Sequence, residues 1–399
     1  MPALRPLRLL RLGMALAVGA ALGTPLAPRA ARADGTVRIG LVLPMTGPFA
    51  STGKQVSDGV NLWMAQHGDT VAGKKIDVIL KDDGAVPDVT KRLAQDLLAN
   101  DKVQILAGFG LTPLAFAVAP LATRAHVLEL VMAAATSRIT NASPYIVRSS
   151  FAIPQTVAPL AQWAPQHGIR KVVTLVTDYG PGLDAETWFK KVFEKNGGTV
   201  LSQLRVPLHN PDFSPFLQRA ADAKPDAIFI FVPSGVGSVL ARQFIERGLD
   251  KAGIKLIATG DVTDDDILNR MGDAMLGAIT AHQYSAAHDS KENKAFVAAF
   301  ETAHPGTRPN FFGVGGYDGM HLIYDALQKT HGDASGKALV DAMKGDHFES
   351  PRGSIMIDPR TRDIVQNIYI RKVEKVDGQL YNVEFETVPM VKDPAKQPN

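Results

Sequence analysis

Apolar runs of strand length alternate with longer stretches of helical periodicity along most of this chain, which predicts βαβ units and mainly parallel sheets. Val37–Leu43, Ile76–Leu80 and Val103–Ala107 read as strands, separated by helical patterns at 53–67 and 88–100. A further helix at 113–124 and a strand at Val127–Val131 follow. After Tyr145–Arg148 the pattern restarts, with strands at Val172–Thr177, Thr199–Val206, Ala227–Val232 and Lys255–Thr259. Helices near 182–196, 213–223, 236–248 and 264–271 alternate with them, and the restart predicts a second α/β lobe. The last third departs from alternation. Helical patterns at 290–303, 314–330 and 335–344 precede Ser354–Ile357, Val365–Val373 and Leu380–Glu386, which read as antiparallel strands. Such a layout suits a chain that returns to its first lobe and crosses back.

The N-terminus changes the charge argument. Arg5, Arg8 and Arg11 precede an apolar stretch, Met14–Leu22, with no acidic residue before Asp34. The stretch is too short for a bilayer span, and Ala31-Arg32-Ala33 offers the small side chains a signal peptidase accepts. Residues 1–33 therefore read as an export leader cleaved after Ala33. Five arginines leave with it, which takes the formal charge from +3 to about −2. The basic pI of 8.9 thus belongs largely to the leader and gives no reason to invoke nucleic acid or anionic lipid. The chain has no cysteine, which removes both a disulfide framework and a lipid-anchored form.

Two segments look built for an anion. In Ala107-Gly108-Phe109-Gly110-Leu111-Thr112-Pro113 a buried strand runs into glycines and then into Thr-Pro, a helix start whose free amides attract a carboxylate or phosphate. Thr112 capping its own helix is an equally simple account. The second segment, Met132–Ser137, leaves the neighbouring strand with small residues and the hydroxyls of Thr136 and Ser137. Both segments sit at carboxyl ends of neighbouring strands, where open α/β sheets place ligands.

Leu41–Ala50 (LVLPMTGPFA), with Gly53 and Asp58-Gly59, resembles the opening of periplasmic binding proteins of the branched-chain amino acid (Leu/Ile/Val) ABC-transporter family. The resemblance continues through Lys81-Asp82-Asp83, the 108–113 turn, Ala134-Ala135-Thr136, Asp178-Tyr179-Gly180, Asp212-Phe213-Ser214 and Gly315-Gly316-Tyr317-Asp318. It implies an α/β fold of two Rossmann-like lobes with a hinge of three crossings, the type I periplasmic binding protein. Residues 34–150 plus 285–353 would form the N-terminal lobe, 151–284 plus 354–388 the C-terminal lobe, and 389–399 a flexible tail. A ligand carboxylate would then be held by Thr112, the backbone of Ala134, and Thr136. Tyr179 would close from the other side, with Thr52, Leu111 and Phe109 lining the first-lobe wall.

Two departures bear on cargo. Amino-acid binders place an acid at the end of the strand matching Lys255–Thr259, where this chain has Gly260, with Asp261 one residue later. A second tyrosine expected after Ala227–Val232 is replaced by Pro233-Ser234. If Asp261 points away, an α-ammonium would be buried without a counter-charge, at high cost. Together with Met132–Ser137 and Tyr284–His288, this looks like the subgroup binding aromatic carboxylates, with His282 and Tyr284 available to a ring substituent. An amino acid is the next choice. The implied partner is an ABC-transporter permease, and the expected protein is a periplasmic monomer with no cofactor and no metal.

Rival classes are weaker. Gly235-Val236-Gly237-Ser238-Val239-Leu240 lacks the third glycine of a dinucleotide fingerprint, and no nucleophile elbow, P-loop or zinc motif is present. Asp264-Asp265-Asp266 lacks the glycine and distal glutamate of a calcium loop and reads as the acidic first turn of a helix. A soluble sensor that reports its ligand to a separate receptor remains the alternative to a transport component.

Overall fold

The computed structural model describes residues 35–397, so the expected leader lies outside the described residues. The first sheet is built from β1 (Thr36–Leu43), α1 (Ala50–His67), β2 (Thr70–Val71), β3 (Lys74–Asp82), α2 (Pro87–Ala99), β4 (Ile105–Gly108), α3 (Thr112–Ala125), β5 (Leu128–Val131) and β6 (Ile146–Arg148). Its strand order is β2-β3-β1-β4-β5-β6, parallel except for β2. Burial on both faces explains why β4 is a continuous apolar run rather than an alternating one, and β5 is equally buried although it carries Glu129.

The second sheet uses α4 (Ile153–Gln166), β7 (Lys171–Thr177), α5 (Gly180–Lys195), β8 (Thr199–Val206), α6 (Ser214–Asp222), β9 (Ala227–Phe231), α7 (Gly237–Glu246), β10 (Lys255–Thr259), α8 (Leu268–Met271) and β11 (Ile279–His282). The chain then returns to pack α9 (Lys291–Ala303), α10 (Phe311–Lys329) and α11 (Gly336–Met343) on the first lobe. It crosses once more to β12 (His347–Ser350), β13 (Gly353–Ile357), β14 (Ile364–Val376) and β15 (Gln379–Val391), all antiparallel. These join the parallel strands through β14 against β11. The result is the expected α/β pair of lobes joined by three crossings, at 149–152, 283–290 and 344–346.

Four local expectations need correction. α4 was not among the expected elements, and Pro159 and Pro165 lie inside it. It survives because Ile153, Val157, Leu160, Ala161 and Ala164 are wholly buried, and because Gln155 accepts the Ala152 N–H at 2.8 Å. The helix expected over 264–271 shrinks to Leu268–Met271. Asp264 and Asp265 are buried ahead of it, where Asp265 accepts from Asn382 at 2.9 Å rather than serving a helix turn. β12, placed with the first lobe by a boundary at 353, pairs with β13 in the second sheet. The segment expected as a flexible tail is anchored through 397. β15 runs to Val391, Asp393 is buried under the Ser137 hydroxyl, and Lys396 donates to Asp363 and Thr140.

Close backbone approach sets the α1–α10 crossing. A Cβ at Gly59 would fall 2.0 Å from the Gly313 carbonyl oxygen, and one at Gly316 would fall 2.2 Å from that of Val56. Three fully buried arginines tie the crossings. Arg352 donates to Asp318, to the Ser149 and Ser150 carbonyls at 2.6 and 2.9 Å, and to Gln366 at 3.0 Å. Arg148 pairs with Asp363 at 2.5 Å, and Arg371 donates to the Tyr284 carbonyl.

Arg352→Met should therefore cost about 3–5 kcal/mol, since it strands Asp318 in the interior. Urea denaturation reads this, and adding Asp318→Asn should recover part of the loss. Glu129 on β5 is fully buried with neither carboxyl oxygen hydrogen-bonded, and burial pushes its pKa well above the usual 4.5. Above pH 4.5 the unfolded state therefore holds fewer protons than the folded one, and stability falls as pH rises. Glu129→Gln should remove this slope, so its advantage in melting temperature should grow from pH 5 to pH 8.

Candidate functional site

Strand ends from both sheets meet at a small cavity of about 20 Å3. The β1–α1 turn is fixed by Asp82, whose carboxylate accepts from Met45 N and Gly84 N at 2.9 Å and from the Thr46 hydroxyl at 2.8 Å. That turn delivers Phe49 and Thr52 to the cavity. After β4, Gly108 (φ 109°) and Phe109 (φ 65°) redirect the chain with left-handed backbone, and a Cβ at Gly108 would fall 2.5 Å from the Val42 carbonyl oxygen. Gly110, Leu111 and Thr112 then open α3 at the cavity wall. Pro113 has no N–H and the Leu114 and Ala115 amides turn back to the Leu111 carbonyl, so this wall presents the Thr112 amide and the positive end of a dipole.

The β5–β6 loop supplies Ala133, Ala134 and Ala135, held by Ala134 N to the Phe109 carbonyl at 3.0 Å and by Arg148 to the Thr136 carbonyl at 2.7 Å. The second lobe contributes Tyr179, Pro181, Phe231, Pro233, Ser234 and Asp261, and Phe151 and Phe312 complete the walls. Four phenylalanines and one tyrosine thus surround a space with no lysine or arginine in its lining. Tyr179 stacks on Phe231 with ring centroids 6.1 Å apart. Burial, with the charge of Asp261 adding, pushes the Tyr179 phenol well above its usual pKa, so it stays a neutral donor.

Asp261 faces this cavity. Its Oδ2 has no hydrogen-bond partner and lies 3.6 Å from His282 Nε2. His282 itself is wholly buried behind the lining, against Phe151 and Phe311 at centroid distances of 5.0 and 4.3 Å. Burial pushes its pKa down to about 4, opposed only in part by Asp261, so the ring is neutral near pH 7. Gly260 has a steric explanation: a Cβ there would fall 2.2 Å from Arg371 Nη2 and 2.5 Å from the His282 ring. An acid cannot occupy that position, and the next residue takes the place facing the cavity.

The structure brings Thr52, Leu111, Thr112, Ala134, Tyr179 and Asp261 together on the cavity lining. Four other expected residues stand off it. Phe109 turns into the first-lobe core with Val42 and Phe49, because its left-handed backbone points the ring away from the cleft. Thr136 gives its hydroxyl to Asp184 of the second lobe, and its amide lies 3.4 Å from Thr112 Oγ1. His282 stands behind Asp261. Tyr284 lies in the second crossing, buried, with its carbonyl held by Arg371. Asp261 stands on the lining with its Oδ2 turned toward His282 behind it. Sequence reasoning missed Phe49, Phe151, Phe231 and Phe312; the last three lie at the edge of elements whose apolar pattern reads as core.

Among the described residues no helix is long and apolar enough to cross a membrane, and no group of three or more histidines or acids is arranged to hold a metal ion. Two lobes joined by three crossings around one enclosed cavity define a hinged binding protein of type I architecture. Residues 36–379 match the family model described as periplasmic binding protein, and the chain belongs to that family. It is 42% identical over 374 residues to Leu/Ile/Val-binding protein homolog 6 of Brucella melitensis, covering 92% of this chain and 95% of that one. A solute binding protein of an ABC transporter from Rhodopseudomonas palustris BisB5, solved in complex with 3,4-dihydroxybenzoic acid, is 61% identical with a TM-score of 0.89. That likeness covers 91% of this chain and 99% of the other. The counterpart from R. palustris HaA2, in complex with p-hydroxybenzoic acid, is 43% identical with a TM-score of 0.88 over 90% and 99%.

The depressed pKa of His282 gives a signed expectation. Between its unfolded value of 6.5 and its folded value of about 4, the unfolded state holds more protons, so stability falls as pH drops through this window. His282→Gln should flatten that acid limb in melting temperatures measured from pH 7 to pH 4.

Proposed function

We propose that this protein is the periplasmic solute-binding component of an ABC importer and that its cargo is a hydroxylated aromatic carboxylate of the 4-hydroxybenzoate class. The carrying observation is the cavity of four phenylalanines and Tyr179 between a helix start and a buried, unpartnered carboxylate. The ligand carboxylate docks on the Thr112 amide and hydroxyl where α3 opens, beside Ala134. Its ring lies among Phe49, Phe151, Phe231 and Phe312, where aromatic contacts add to area burial. A ring hydroxyl donates to Asp261, which supplies the acceptor that a bare benzoate leaves unused. The relatives solved with dihydroxy- and hydroxybenzoic acid support this reading.

Closure of the second lobe then buries the ligand, and the closed form is what a membrane permease reads. Export with removal of 1–33 and no lipid anchor delivers a monomer to the periplasm, and no step requires turnover. One observation favours a second reading: Asp261 could equally pair with an α-ammonium, and a Brucella relative carries a Leu/Ile/Val-binding name.

Calorimetry and thermal shift with 4-hydroxybenzoate, benzoate, leucine and valine separate the two. The expected outcome is strong stabilisation by 4-hydroxybenzoate, weaker by benzoate, none by the amino acids, and recovery of every ligand chemically intact. Asp261→Ala should weaken 4-hydroxybenzoate by about 1.5–3 kcal/mol while sparing benzoate. Stabilisation by leucine alone would sink the aromatic assignment.

A further inference from the structure

The loop at the end of β5 already holds a carboxylate, and it belongs to the protein. The Thr136 hydroxyl and the Ser137 amide, the latter at 2.8 Å, both donate to Oδ2 of Asp184, in the first turns of α5 on the second lobe. On the first helix, the Ser51 hydroxyl donates to Asp266, again a second-lobe carboxylate. In both pairs the first lobe supplies donors and the second lobe the acceptor. Each donor adjoins a cavity residue, since Ala135 precedes Thr136 and Thr52 follows Ser51. Backbone comes equally close there: a Cβ at Gly180 would fall 3.3 Å from Thr112 Cγ2, and one at Gly235 would fall 2.8 Å from the Pro48 carbonyl oxygen.

Asp184 does not line the cavity, so it cannot select a ligand by contact. Its partners are stationary, because Arg148 holds the Thr136 carbonyl at 2.7 Å and is itself paired with Asp363. Charge-assisted bonds to such a fixed hydroxyl and amide form only when the lobes are together, and water takes their place when the lobes part. We propose that Asp184, assisted by Asp266, is an interlobe latch: a positioning residue that sets the open–closed balance and ligand residence time without touching the ligand. The proposal rests on the aromatic-acid reading only for its choice of probes.

The test uses the full mature chain with Asp184→Ala and Asp184→Asn. Affinities for 4-hydroxybenzoate and benzoate should each weaken by the same factor, roughly 10- to 100-fold for the alanine variant and less for asparagine. The association rate should hold while dissociation quickens. Since the chain has no cysteine, Gln95→Cys on α2 and Arg242→Cys on α7, both exposed, give one spin label per lobe. In the ligand-free protein Asp184→Ala should shift the pulsed-EPR distance distribution away from the closed separation. Identical distributions with and without Asp184 overturn the latch, as does an affinity loss confined to one acid, which would mark a ligand contact. If neither acid binds the wild type, the cargo assignment fails by itself, and the distance measurement still decides the latch.

Discussion

Arg352 is the interaction on which the architecture turns. A guanidinium with no exposed surface is tolerable only if its N–H groups are spent on fixed acceptors, and these lie on three parts of the chain: Asp318 of α10, the Ser149 and Ser150 carbonyls of the first crossing, and Gln366 of β14. The first crossing is thereby held against α10 and the second sheet, while Arg371 holds the second crossing and Arg148 the β5–β6 loop. Extended segments fixed laterally in this way can still twist together, which suits a hinge better than a swivel.

The cavity lining combines a helix start from one lobe, Asp261 from the other, and aromatic rings from both. No lysine or arginine lines the cavity, so its polar groups are amides, hydroxyls and the Asp261 carboxyl. Neutral His282 behind Asp261 leaves its charge available to a donor in the cavity rather than cancelling it.

Much of the fold was legible in the chain because its causes are local. Continuous apolar runs mark doubly covered strands, and the glycines of Gly108–Gly110 and Gly313–Gly316 mark places where backbone or helix must approach closely. The failures share one origin. α4 contradicts its own prolines because burial outweighs local propensity, and the acidic run 264–266 looks like a helix start because its partners, Asn382 and Ser51, are far away in sequence. The end of the chain reads as solvated, yet Lys396 finds a buried acid supplied by β14's approach.

The sequence by itself determined the two-lobed α/β plan and the helix start at Thr112, since periodicity and turn chemistry act over a few residues, while the family was legible through the resemblance of its ordered motifs. Only the tertiary structure decided that Asp261 faces the cavity, that Phe109, His282 and Tyr284 stand behind or away from it, that Thr136 serves Asp184, and that phenylalanines from four separate segments form one aromatic wall. Those outcomes depend on which distant segments the buried arginines bring together. No local pattern records that convergence.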